Sequence, residues 1–307
     1  MTDLLAGRER ALRSLELSVK RKLEGFLHGE ITGLRSGLGS EPNEARPYQP
    51  GQDDVRRMDW NVTARSLEPH VRAPLAEREL ETWALLDASA SMDFGTALSE
   101  KRDVAVAIVG ALGLLADRPG NRLGVRVALG NDLRRLPAAA GRLQLRHTIR
   151  ALLTLPRPEP GAVPRTDLGQ AVSRLDREHP RPGLRVIVSD FHETNWTDPL
   201  RRLTARHEVI AVEVLDPREL ELPEVGLLTL VDPETGRRRE IQTANHTLRR
   251  RYAEAMTAHR DHTAQAIRSA GAAHLVLRTD ADWVRDVASF ATARRRAGAR
   301  SVRTGVR

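Results

Sequence analysis

The sequence predicts a doubly wound α/β domain behind a helical and irregular N-terminal segment, and three observations carry that expectation. Short apolar runs alternate with helical stretches over about 210 residues, the pattern of a parallel sheet covered on both faces. Two of those runs, 83–86 and 184–188, lead into aspartates, Asp87 and Asp190. In an open sheet of this kind the binding crevice lies beyond the carboxyl ends of the strands, where the strand order reverses.

The elements follow in order. Residues 4–28 place Leu12, Leu15, Val19, Leu23, Phe26 and Leu27 at intervals of mostly three and four, an amphipathic helix. Residues 29–50 dissolve into Gly, Ser, Pro and Asn and read as a loop. After the strand at 83–86 a helix spans 100–116, stopped by Pro119-Gly120. Strands at 123–129 and 133–136 are joined by Gly130-Asn131-Asp132, a hairpin turn. A helix at 143–153 and a proline-rich loop at 156–164 come next. Thr166 and Asp167 then start a helix with Leu168, Ala171, Val172 and Leu175 on one face. Beyond the strand at 184–188, a helix at 198–205 leads to a strand at 208–214. Residues 226–242 form a hairpin turned at Asp232-Pro233-Glu234-Thr235-Gly236. A long helix at 244–269, a strand at 274–277 and a helix at 282–292 close the ordered part. The organisation is therefore an N-terminal segment 1–80, a domain 81–292 and a basic tail 293–307.

Composition narrows the chemistry. The 307 residues are 40% hydrophobic and 29% charged, as in globular chains, and contain no cysteine. Disulfides, thiolate zinc sites and cysteine nucleophiles are excluded, so oxygen or imidazole must hold any metal. Charges interrupt the first thirty residues, which do not read as a secretory signal. The longest apolar run, 104–116, is too short to span a bilayer. A cytoplasmic protein without a transmembrane segment is expected. The net charge of +8 suggests an anionic partner until it is located. Residues 1–80 carry equal numbers of acids and bases, whereas 293–307 carry six arginines and no acid. Nucleic-acid binding is thus expected only through the tail.

The residues most suited to chemistry surround Asp87. In Asp87-Ala88-Ser89-Ala90-Ser91 a carboxylate and two hydroxyls alternate along a turn of small residues. Hard oxygen donors of this kind suit a magnesium-class ion that keeps water and an open coordination position. Alone, Asp87 and Ser89 are more often a helix or turn cap than ligands. Together with Thr166 before a helix and Asp190 after a strand, the series resembles the metal-ion-dependent adhesion site (MIDAS) of von Willebrand factor A domains. That resemblance implies a Rossmann-like α/β sandwich and a Mg²⁺ site, or Mn²⁺ or Ca²⁺ in its place. It implies Ser89, Ser91 and Thr166 as ligands, and Asp87 and Asp190 as direct or water-mediated carboxylates. A partner's carboxylate would complete the shell.

Upstream, Arg46-Pro47-Tyr48-Gln49-Pro50-Gly51-Gln52-Asp53-Asp54-Val55-Arg56-Arg57-Met58-Asp59-Trp60-Asn61, with Ala64-Arg65, resembles the signature of the DUF58 family. The match is specific from Arg46 through Phe94-Gly95 and looser to the C-terminus. Gln52 departs from it, standing where an acid is expected. The resemblance implies a bacterial protein with an A-type domain and a MoxR-type AAA+ ATPase as partner. Asp53, Asp54 and Asp59 with Arg56, Arg57 and Arg65 form either a salt-bridged turn or a partner surface. Trp60 is expected as a packing anchor.

Other motifs are absent. His192-Glu193 lacks the HExxH frame and reads as polar surface, and neither a G-x-S-x-G elbow nor a P-loop occurs. The expectation is a non-enzymatic, metal-dependent interaction module. Its alternative is a metal-dependent hydrolase or nuclease using the same carboxylates to activate water.

Overall fold

A computed structural model describes residues 45–50, 54–66, 68–72, 81–96, 99–115, 121–157, 161–162 and 164–304. The helix expected at 4–28, Gln52 and Asp53 lie outside the described residues.

The N-terminal part pairs β1 (Ala45–Pro47), inside the expected loop, with β2 (His70–Arg72) in an antiparallel ladder. Between them Asp54 caps a 3-10 turn, Val55–Arg57, and α1 covers Trp60–Ser66. Asp59 accepts the N–H groups of Asn61 and Val62, two donors that the first helical turn leaves unpaired. This cap turns Asp59 inward at 9% exposure and leaves Trp60 68% exposed. The expectation of Trp60 as a packing anchor is therefore corrected: the buried side chain at this turn is the capping aspartate.

The domain is a six-stranded sheet. Its strands are β3 (Glu81–Asp87), β4 (Arg122–Leu129), β5 (Asp132–Ala139), β6 (Leu184–Ser189), β7 (Glu208–Leu215) and, after a separate hairpin of β8 (Leu227–Val231) with β9 (Arg238–Gln242), β10 (Ala273–Arg278). Their spatial order is β10-β7-β6-β3-β4-β5, all parallel except β5, which pairs antiparallel with β4. Gly130, at φ 57°, begins the β4–β5 turn as the sequence required.

Alternate strand residues feed two cores, as expected of strands buried on both faces. Ala84, Leu86, Val186, Val188 and Val212 face α2 (Lys101–Leu115), α3 (Arg142–Leu153) and α8 (Trp283–Thr304). Trp83, Leu85, Ile187 and Ala211 face α4 (Leu168–Glu178), α5 (Thr197–Thr204) and α7 (His246–Ser269). A short α6 (Pro217–Leu220) follows β7. This is the doubly wound α/β class expected. The final helix runs through Thr304 rather than ending at 292, so the basic stretch starts inside it, and Arg294 pairs with Glu208 of β7. Arginine and alanine, which dominate that stretch, are both good helix formers.

The chain leaves β3 for β4 on one side and returns to β6 on the other. The strand order thus reverses at β3, and the crevice that this opens lies at the carboxyl ends of β3 and β6, where Asp87 and Asp190 stand.

Candidate functional site

Asp87 is the last residue of β3, and two bonds hold its carboxylate. Oδ1 accepts the Ser89 N–H at 2.9 Å, and Oδ2 accepts the Ser189 hydroxyl at 2.7 Å. The chain then closes a 3-10 turn, Ala90–Asp93, which brings the Ser89 and Ser91 hydroxyl oxygens to 3.1 Å from each other. Thr166 precedes α4, whose cap is Asp167, and its hydroxyl accepts the Gly130 N–H at 2.9 Å. Asp190 follows β6, and Phe191 after it adopts φ 54°, a left-handed conformation that bulky residues rarely take. Phe191 is held there in the core against the ring of Trp196.

Asp87, Ser89, Ser91, Thr166 and Asp190 all line one cavity of about 190 Å³. Six carboxylates border it, those of Asp87, Asp190, Glu193, Glu219, Asp232 and Glu234, with Arg165 and His192 among them. Burial and the neighbouring Asp190 carboxylate push the Asp87 carboxyl up. Burial alone would also raise Asp190, but the Lys101 ammonium and His192 hold it well below the usual carboxylate range. The pair is thus asymmetric: Asp190 has a cation and Asp87 has hydroxyl and amide donors only.

The Asp190 cation was not foreseen. Lys101, the first residue of α2, is wholly buried and donates to Asp190 Oδ2 at 2.8 Å and to Glu219 Oε1 at 2.5 Å. Glu219 is set by a capping box at the start of α6, in which the fully buried Asp216 also binds Thr96 and Thr279. The sequence did hold a signal for Lys101. It is the one lysine beyond residue 22 in a chain whose other basic residues there are arginines and histidines. His192, expected as polar surface, stands 3.6 Å from both Asp190 and Glu219. The Asp190 carboxylate raises the pKa of His192 against the opposing effect of burial.

Among the described residues, Asp190, His192 and Glu219 form one group whose ligand-capable atoms lie within 4.8 Å of one another. The Lys101 ammonium already bonds two of the three, and a second cation beside it would be repelled. The groups on the Ser91 side of Asp190 differ. There the paired hydroxyls of Ser89 and Ser91, Thr166 and the cation-free Asp87 offer the oxygen donors that a magnesium-class ion takes. These residues, with Asp190 beside Ser91, fit such an ion; the His192 and Glu219 side does not.

Residues 44–262 match the family described as "Protein of unknown function DUF58". An uncharacterized protein of Mycobacterium tuberculosis is 52% identical over 287 residues, 93% of this chain and 89% of its own length. Among solved structures the chain is similar to the conserved hypothetical protein BatB from Bacteroides thetaiotaomicron, with TM-score 0.42, 14% identity, and 71% of this chain and 99% of that one covered. It is also similar to a von Willebrand factor type A protein from Catenulispora acidiphila, with TM-score 0.39, 13% identity, and 71% and 43% covered. No helix among the described residues is long and apolar enough to cross a membrane.

Proposed function

The chain belongs to the DUF58 family, and on that footing we propose that it is a metal-dependent protein-interaction module. Ser89, Ser91 and Thr166 would hold a divalent cation of the magnesium class, with Asp87 and Asp190 as direct or water-mediated carboxylates. One observation carries this reading: two hydroxyl oxygens 3.1 Å apart over a buried, cation-free carboxylate, at the strand-order reversal of an open sheet. When bound, such an ion supplies a Lewis-acidic position for an oxygen of a partner's Asp or Glu. The residues of the chain do the rest. Ser189 and the Ser89 amide fix the Asp87 carboxylate, and Lys101 neutralises Asp190 from the other side.

The DUF58 resemblance points to a MoxR-type AAA+ ATPase as that partner, with this protein as its adaptor. The hydrolase alternative needs a general base, and the Asp190 carboxylate, 3.6 Å away, shifts His192 toward its protonated form.

Calorimetric titration with Mg²⁺ and Mn²⁺ tests the metal step. Binding is expected to wild type and to be lost in Asp87→Ala; absence of binding, or binding unchanged in the variant, overturns the reading. A pull-down with and without EDTA then tests the partner step. Metal-dependent turnover that disappears in Asp190→Ala would instead favour the hydrolase.

A further inference from the structure

The β8–β9 hairpin stands outside the main sheet, yet its tip reaches the cavity. The tip is braced internally: Asp232 accepts the Glu234 N–H at 2.9 Å and the Thr235 hydroxyl at 2.6 Å, and the Gly236 N–H bonds the Asp232 carbonyl at 2.8 Å. This brace presents Glu234 to the site. Its Oε1 accepts the backbone N–H of Ser91 at 3.1 Å, a contact across 143 positions of sequence.

A further carboxylate in a cavity already bordered by Asp87 and Asp190 is electrostatically costly, and the Ser91 N–H together with Arg165 offsets only part of that cost. The placement becomes favourable when a divalent cation joins Arg165 there. Among the described residues, few hydrogen bonds hold the hairpin tip to the site. Gly226, at φ 80°, lies at its base, where Thr243 ties the two strands together. Beyond the Ser91 bond, the tip is hydrogen-bonded to the rest of the domain through the Gly161 N–H and the Pro233 carbonyl, at 3.3 Å.

We propose that Glu234 is an internal carboxylate ligand of this cavity, and that a partner binds by displacing the hairpin tip with an acidic side chain of its own. The inference rests on the metal reading above and deepens it. To the acidic partner side chain of that reading it adds a shape, a rigid turn like the Asp232–Gly236 tip. It also makes the closed hairpin an autoinhibitory contact.

Mn²⁺ titration of the full chain tests it, comparing wild type, Glu234→Ala, Glu234→Gln and Asp87→Asn, each with and without acetate. Both Glu234 variants are expected to bind Mn²⁺ about tenfold more weakly. The glutamine variant keeps an acceptor for the Ser91 N–H, so its loss reports the charge and not the hydrogen bond. Acetate at tens of millimolar, above the roughly millimolar effective concentration of a tethered group, should restore affinity in Glu234→Ala and leave wild type unchanged. Wild-type affinity in both Glu234 variants, with affinity lost in Asp87→Asn, overturns this inference and leaves the metal reading standing. Equal strengthening of wild type and Glu234→Ala by acetate overturns it as well. No Mn²⁺ binding by wild type, or none lost in Asp87→Asn, overturns the metal reading and this inference with it.

Discussion

The Lys101 ammonium lies 2.8 Å from Oδ2 of Asp190, with the two side chains 0% and 3% exposed. A buried pair of this kind is costly to break, because the remaining partner keeps its charge without a counter-ion. Lys101→Met should destabilise the domain by about 3–5 kcal/mol, read as a fall in the urea midpoint. The same substitution frees Asp190, His192 and Glu219, so added Mn²⁺ should raise the melting temperature of the variant more than that of wild type. A variant as stable as wild type would show that the pair does not hold the site.

Two buried histidines give the protein a pH dependence remote from the cavity. Burial and nearby arginines lower His179 and His207 from 6.5 to about 4. Both are therefore neutral when folded and take up protons on unfolding below pH 6.5. Their contribution is fully present above pH 6.5 and lost as pH falls toward 4. Urea midpoints measured between pH 7.5 and pH 5 should decline, and His207→Gln should flatten the decline. An unchanged slope in the variant would assign the proton uptake elsewhere.

Arg185 anchors the opposite, amino end of the sheet. Fully buried, its Nη1 donates to the carbonyls of Glu81 and Leu184 and its Nη2 to those of His179 and Arg181, at 2.8–3.1 Å. Arg185→Leu orphans these acceptors and should cost more than about 2 kcal/mol. Metal affinity of the folded fraction should not change, since the substitution lies at the far end of β6. A matching loss of Mn²⁺ affinity would show that the two ends of the sheet are coupled.

What the sequence revealed and what it hid divide along the range of the interaction. The strands that end at Asp87 and Asp190 were legible because a doubly buried parallel strand is a continuous apolar run whatever packs on it. The start of α4 was legible in its cap, since the Asp167 carboxylate binds the Gln170 N–H three residues on. Glu234 was hidden because nothing near it in sequence mentions Ser91, and only the return of the hairpin to the crevice brings the two together. Lys101 left a signal in composition alone, the lone lysine among arginines beyond residue 22, and a lysine at a helix start is ordinarily solvated. Trp60 misled because apolar size favours burial, whereas the adjacent Asp59 cap decided which side chain turned inward.

Gly124 of β4 shows how tightly the face away from α2 is packed. A Cβ there would stand 2.5 Å from the ring of Trp83, which cannot retreat because His179 stacks on it at 3.6 Å. Gly124→Ala should therefore destabilise by about 1–3 kcal/mol through overpacking, although alanine is otherwise at least as acceptable as glycine in a strand. Trp83→Leu alone should also destabilise, by leaving a cavity. In the double variant the alanine has room, so its penalty should shrink by more than the few tenths of a kcal/mol seen between independent sites. Chemical denaturation of the four proteins measures the coupling. Strict additivity would mean that the ring moves aside and that the close approach of Gly124 to Trp83 does not constrain the sheet.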